Sequence, residues 1–167
     1  MPVGKHTYGL DGIKCYFMDT PDDFSIGSFC SIAECKIFFG GEHKQHISTY
    51  PFHRLFSEAT NNAYSRGKVS IGNDCWIGYG VTIMSGVRVA DGTIIGVNTT
   101  ITKDTEPYGV YGGVNRLIKY RYSKEQREAL LRIKWWEWSD EKIRENLTLL
   151  QSDDIDAFIL KHDNENK

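Results

Sequence analysis

The chain has 167 residues and a formal net charge of −2 at pH 7. That length suits one domain with room for a core, and so slight a charge supplies no basic field for nucleic acid or an anionic membrane surface. No segment approaches the ~20 apolar residues of a membrane span, and residues 1–12 contain no apolar run of the signal-peptide kind, so the cytoplasm is the expected location.

Residues 4–23 read as an irregular cap with strand fragments at Tyr8, Ile13, Tyr16 and Phe17. Two hexapeptides follow, IGSFCS at 26–31 and IAECKI at 32–37. Ile26 and Ile71 are not a multiple of six apart, so an excursion loop of about 38–68 must leave the repeat. A loop this long with little structure of its own is usually functional. It holds His43, His46, Tyr50, Phe52 and His53.

Residues 71–106 then read in sixes: IGNDCW, IGYGVT, IMSGVR, VADGTI, IGVNTT, ITKDTE. Ile71, Ile77, Ile83, Val89, Ile95 and Ile101 take the first place. Gly72, Gly78, Ala90 and Gly96 take the second, where a larger side chain would crowd a turn. Cys75, Val81, Val87, Thr93, Thr99 and Thr105, all small or β-branched, take the fifth. A strict period of six fits neither a helix nor a flat strand. Hexapeptides mark a parallel β-helix, in which each six makes a short strand and a corner, and three close a triangular coil. The aliphatic first place points inward.

From 107 to 122 the chain turns through Tyr111, Gly112 and Gly113 into a basic exit strand. The period then becomes helical. Ser123 caps a helix with Gln126 placed for a capping box, and Leu130, Ile133, Lys134 and Trp136 continue it. Ser139 starts a second helix with Asp140 and Glu141 in its first turn, and Ile143, Leu147 and Leu150 form its apolar stripe. Trp135, Trp136 and Trp138 read as packing rather than chemistry. The polar tail beyond Leu160 reads as frayed. The expected division is 1–122 for the β-helix and 123–167 for a helical extension packed on it. Cys15, Cys30, Cys35 and Cys75 include no CxxC pair, which argues against a zinc knuckle; Cys30 and Cys75 sit in the small fifth place as compact apolar residues.

The hexapeptides together with GKHTYG, IGSFCSIA, GGEHKQHISTYPF, IGNDCWIG, IKYRY and IKWWEWSDEKIRENL resemble the left-handed β-helix acyltransferases, in their xenobiotic acetyltransferase branch. That branch includes chloramphenicol and streptogramin acetyltransferases and many sugar O-acetyltransferases. The resemblance runs from about residue 4 to 158. It implies a mainly β fold, a left-handed parallel β-helix with an excursion loop and a C-terminal α-helical segment, whose crossovers break the usual right-handed rule. It also implies a homotrimer that uses acetyl-CoA as co-substrate without a metal.

Transfer of acetyl from a thioester to a hydroxyl needs a base, and a neutral imidazole suits that role. The resemblance assigns it to His43, which precedes STYPF by the family's interval. His46 and His53 have no such counterpart and read as solvated. Where the family often has Asn before its histidine, this chain has Glu42, whose carboxylate would raise the imidazole pKa if it pointed that way. Tyr50 and Phe52 are the acceptor candidates. For the donor, matching positions are Trp76, Gly78, Gly96, Thr102 and Lys103. A backbone amide there would stabilise a developing oxyanion, while Lys103, Arg116 and Lys119 are candidates for the nucleotide phosphates. One departure is Gly112-Gly113-Val114-Asn115-Arg116 in place of Gly-Asn-Pro-Ala-Lys, which alters a turn on the donor side.

Three rivals differ from this reading. A zinc carbonic anhydrase on the same coil needs histidines on adjacent turns, and 71–106 has none. An inactive trimeric module would not bind CoA. An N-acetyltransferase would use the same base on an amine. Among acceptors, a sugar or glycan hydroxyl is preferred to an antibiotic because the loop and cap look short for enclosing a large molecule.

Overall fold

The first-place residues Ile26, Ile32, Ile71, Ile77, Ile83, Val89, Ile95 and Ile101 are each no more than 4 % exposed. They stack as columns inside a three-sided parallel β-helix, seen in a computed structural model that describes residues 2–20 and 23–163. The first face is β2 (Phe24–Ile26), β7 (Val69–Ile71) and β10 (Arg88–Val89). On the second are β3 (Ser31–Ile32), β8 (Trp76–Ile77), β11 (Ile94–Ile95) and β13 (Gly109–Gly112). The third is β1 (Ile13–Tyr16), β4 (Cys35–Phe38), β9 (Thr82–Ile83) and β12 (Thr100–Ile101). Register is strict: Ile32 pairs with Ile77 and Ile77 with Ile95, so like sits on like from coil to coil. Each inward aliphatic side chain contributes roughly 1.5–3 kcal/mol of burial.

The corners explain the rest of the hexapeptide. Phe29, Asp74, Gly92 and Tyr108 have φ of 59°, 53°, 69° and 58° at the corner between the first and second faces. Gly80, Asn98 and Asn115, with φ of 72°, 55° and 47°, do the same at the next. Left-handed backbone at non-glycine residues is uncommon, and here the ladder on either side holds it. The small second place is also accounted for: a Cβ on Gly78 would lie 2.9 Å from the Ile95 carbonyl oxygen.

Three expectations need correction. The six IAECKI is one residue short, because its next inward residue is Ile37, in register with Ile83, rather than Phe38. The second C-terminal helix is not continuous. α1 (Lys124–Ile133) starts on the Ser123 capping box as expected, but α2 (Asp140–Glu145) stops at Asn146 before α3 (Leu147–Leu150). Asn146 is buried and its amide donates to the Lys142 carbonyl at 2.8 Å, which competes with helix continuation, and Leu147 is left exposed. Nor is the chain frayed after Leu160: α4 (Ile155–His162) carries His162 into contact with Trp138, Phe158 and Asn146. The rest of the frayed-tail expectation, residues 164–167, lies outside the described residues.

The cap is more regular than its sequence suggests. Val3 bridges Ile26, Tyr8 bridges Ser31, and β1 lies parallel to β4, so the N-terminal segment forms a partial first coil. At the other end β14 (Arg116–Tyr120) folds back antiparallel on β13. A second core, built on Tyr108, Leu130, Ile133, Trp136 and Phe158, joins the helices to the first corner.

Candidate active site

The excursion leaves after β4 and returns at β7, so it stands at the edge between the third and first faces. Its base is a two-stranded ribbon, β5 (Glu42–His43) with β6 (Ala63–Tyr64), pairing Glu42 with Tyr64 and His43 with Ala63. Neighbouring residues in a strand point to opposite sides, and that alternation separates Glu42 from His43. Glu42 turns toward the coil, where its Oε1 accepts a hydrogen bond from the Ser85 hydroxyl. His43 turns outward and is exposed. The suggested carboxylate–imidazole contact is therefore not made. Among the described residues no hydrogen bond or ion pair engages the His43 ring, so both nitrogens are available to a substrate.

His43 opens on a cleft of about 550 Å³, shared with Phe17, Phe39, Pro51, His53, Arg54 and Tyr64. His53 was given no role by its spacing. Its Nδ1 is nonetheless buried without a partner among the described residues, in the same cleft as His43. No sequence signal marked it or Arg54, because the turn that brings them there, Phe52–Arg54, is an isolated 3₁₀ turn with no period of its own. Tyr50 and Phe52 do not join them. They pack edge-to-face at 5.3 Å and, with His46 and Asn62, line a neighbouring hollow of about 540 Å³ on the loop.

The outward residues of the second face form one row. Ser31, Trp76, Ile94 and Val110 are successive partners, and Val110 faces Lys119 on β14. Trp76, within that row, and Val97, Val114 and Ile118 are apolar residues 51–72 % exposed. Gly78 and Gly96 lie at the adjoining corner, one coil apart. Lys103, Arg116 and Lys119 are exposed and have no ion-pair partner among the described residues.

The backbone amides proposed as oxyanion donors are already committed. Gly78 N–H donates to the Ile95 carbonyl at 2.8 Å and Gly96 N–H to the Tyr111 carbonyl at 2.9 Å. The Thr102 and Lys103 amides both donate to Asn115 Oδ1, at 2.8 and 3.0 Å. These four positions can line a groove but cannot donate to a thioester oxygen while the ladder is intact. The turn at 112–116 supplies this closure itself: Asn115 accepts from both amides, and Val114 bridges Thr100 in parallel.

Among the described residues there is no group of three or more His, Cys, Asp and Glu side chains placed to hold a metal. Cys30, Cys35 and Cys75 are buried and free; burial pushes the Cys35 thiol up to about 11 and Cys75 well above its ordinary value, so neither is a nucleophile at neutral pH.

Comparison with known proteins fits this architecture. Residues 68–103 match the bacterial transferase hexapeptide family of six repeats. The chain is 40% identical over 153 residues to a probable macrolide acetyltransferase of Lysinibacillus sphaericus, covering 86% of this chain and 85% of that one. It is 37% identical over 176 residues to a chloramphenicol acetyltransferase of Agrobacterium fabrum, covering 93% and 84%. A solved maltose O-acetyltransferase from Clostridium difficile 630 aligns with a TM-score of 0.49 at 22% identity, over 74% of this chain and 68% of that one. The chain belongs to the hexapeptide-repeat acetyltransferases, and its coil is the left-handed parallel β-helix of that family. It is an acyltransferase.

Proposed function

We propose that the protein transfers acetyl from acetyl-CoA to a hydroxyl group, with His43 as general base. The observation that carries this is an exposed imidazole, free of protein partners, at the mouth of a cleft of about 550 Å³ in an acetyltransferase fold. His43 takes the proton from the acceptor hydroxyl as that oxygen bonds the acetyl carbon. The same proton then goes to the departing thiolate, so the imidazole ends as it began. Trp76, Gly78, Gly96 and the exposed Lys103, Arg116 and Lys119 would line the donor groove, with the cations facing its phosphates. Thr102 contributes shape rather than an amide.

The acceptor class is better served by an amphiphilic, antibiotic-like alcohol than by a simple sugar. Loop length favours the sugar, but the loop's outer surface is apolar. Ile47, Leu55, Phe56, Tyr50 and Phe52 are all exposed there, and relatives are named for macrolide and chloramphenicol acetylation. The apolar strip of Trp76, Val97, Val114 and Ile118 fits burial against a second copy in a homotrimer with sites between subunits. Residues 1–122 would hold those sites and the extension from 123 would brace them, in the cytoplasm where acetyl-CoA is at hand. Light scattering that finds only monomer at micromolar concentration would remove the shared site.

The test of the base compares three histidines. His43→Ala should lower kcat by roughly 10²–10⁴-fold while CoA affinity stays within about a factor of two. His53→Ala, in the same cleft, should cost less and chiefly raise the acceptor KM, and His46→Ala should cost least. An unaffected His43→Ala enzyme, assayed with an acceptor the wild type uses, would sink the mechanism.

A further inference from the structure

Where the C-terminal helices cross the corner of Asp74, Gly92 and Tyr108 they leave a cavity of about 230 Å³; a single water needs only about 10–15 Å³. It stands at the edge between the first and second faces. The loop with His43 leaves from the edge between the third and first, so the two hollows share no lining residue.

The cavity's hydrogen-bonding groups are unequally used. The Arg121 guanidinium and the amides at the start of α4 are committed. Arg121 Nη1 donates to Asp74 Oδ2 at 3.0 Å and to the Gly92 carbonyl at 2.9 Å, and Nη2 reaches the Tyr122 hydroxyl at 3.4 Å. In the first turn of α4, the Ile155 amide donates to the Asp153 carbonyl and the Ala157 amide to Asp154 Oδ1, both at 3.0 Å. Other polar groups are not. Among the described residues no hydrogen bond or ion pair reaches the Asp153 carboxylate or the second oxygen of Asp74, and the hydroxyl of Tyr108, a residue 1 % exposed, is buried with no partner. The lining includes three carboxylates, of the half-buried Asp74 and the exposed Asp153 and Asp154, and one guanidinium. The walls are aromatic and aliphatic, including Trp135, Tyr122, Leu130 and Phe158.

An anion would meet three lining carboxylates against one guanidinium already engaged, with only phenolic and indole hydrogens left to donate. A neutral apolar molecule would leave the second oxygen of Asp74 and the Tyr108 hydroxyl unanswered. We infer that this cavity is a second binding site, for a small organic cation: a protonated amine on an apolar body. An ammonium group offers three donors and needs no acceptor in return, and the ring faces of Trp135 and Tyr122 attract a cation. Burial pushes the Asp74 carboxyl up, more than the neighbouring Arg121 pulls it down, so its ionised form gains from a second cation. Binding would clamp α1 and α4 onto the β-helix and is independent of acetyl transfer.

The probe is 2-phenylethylammonium chloride, titrated into the full chain by calorimetry at low salt, with sodium phenylacetate as the control of equal size and opposite charge. Saturable binding with a Kd on the order of 1 mM is expected for the cation alone. Asp153→Asn, at a side chain with no hydrogen bond or ion pair among the described residues, should weaken it roughly fivefold without lowering Tm appreciably. The His43→Ala protein should bind it as the wild type does. The inference is overturned if the wild type shows no saturable binding, if phenylacetate binds equally, if Asp153→Asn binds unchanged, or if His43→Ala abolishes binding.

Discussion

The coil of 69–107 and the excursion of 38–68 are adjacent in the chain and opposite in construction. In the coil each strand pairs in register with its neighbours, and the residues that face inward are covered on every side. The excursion has one two-residue pairing, a single 3₁₀ turn and a run of exposed apolar side chains. The repeat spends its side chains on packing, which leaves few polar groups to spare for chemistry. The loop spends few on packing and can present an imidazole to solvent. The two are joined through Glu42, whose carboxylate reaches the coil at Ser85 while the next residue, His43, carries the proposed base.

If that division holds, substitutions in the two regions should fail in different ways. Ile83→Ala, at a wholly buried first place, should lower stability by about 2–5 kcal/mol, the cost of lost burial plus a cavity. Below its melting temperature the variant should keep near-normal kcat, because the backbone pairing of β4 with β9 that seats the loop does not depend on the Ile83 side chain. Chemical denaturation and initial-rate assays on one preparation test both halves. Loss of turnover in a fully folded Ile83→Ala protein would break the comparison.

The second expected effect sits at the joint. Glu42→Ala removes the bond to Ser85 and frees the ribbon that aims His43. Turnover should fall roughly 10–100-fold, the scale set by small misplacements of a catalytic group, with little change in melting temperature. Glu42→Gln, which can still accept from Ser85, should recover most of it. If Gln is as damaged as Ala, the carboxylate charge matters and Glu42 is more than a positioning residue.

The same contrast explains what could be read in advance. Ile71 to Ile101 announced themselves because a coil makes the same demand every six residues, and demand repeated is pattern. Ser123 and Ser139 were legible for a similar reason, since a helix start imposes a local rule on the next three residues. His53, Arg54 and Phe17 were not, because they meet His43 through an irregular turn and a cap fragment whose path no local rule dictates. The one-residue deletion after Ile32 was equally hidden: both Ile37 and Phe38 are apolar, and only pairing with Ile83 decides which turns inward. The engaged amides of Thr102 and Lys103 depended on Asn115 reaching back across a turn, which thirteen residues of sequence do not reveal.

The smallest effect belongs to a contact outside both regions, and it serves as the control. The exposed carboxylate of Asp140, in the first turn of α2, meets His6 Nε2 at 2.9 Å and Lys5 Nζ at 3.4 Å, tying the cap to the helices. The His6 hydrogen bond first, and Lys5 after it, hold the Asp140 carboxyl below its ordinary 3.8. A carboxyl with a lowered folded pKa stabilises the fold above its unfolded pKa and loses that contribution as pH falls through the folded value. Asp140→Asn should therefore lower Tm by only about 2 °C or less at neutral pH, since such surface pairs are worth little. The gap between variant and wild type should shrink with added salt and close as pH falls below 3.8. Turnover should not change at all. A gap that persists in acid would mean that Asp140 acts through helix capping geometry instead of charge, and a loss of turnover would mean that the strap reaches the site.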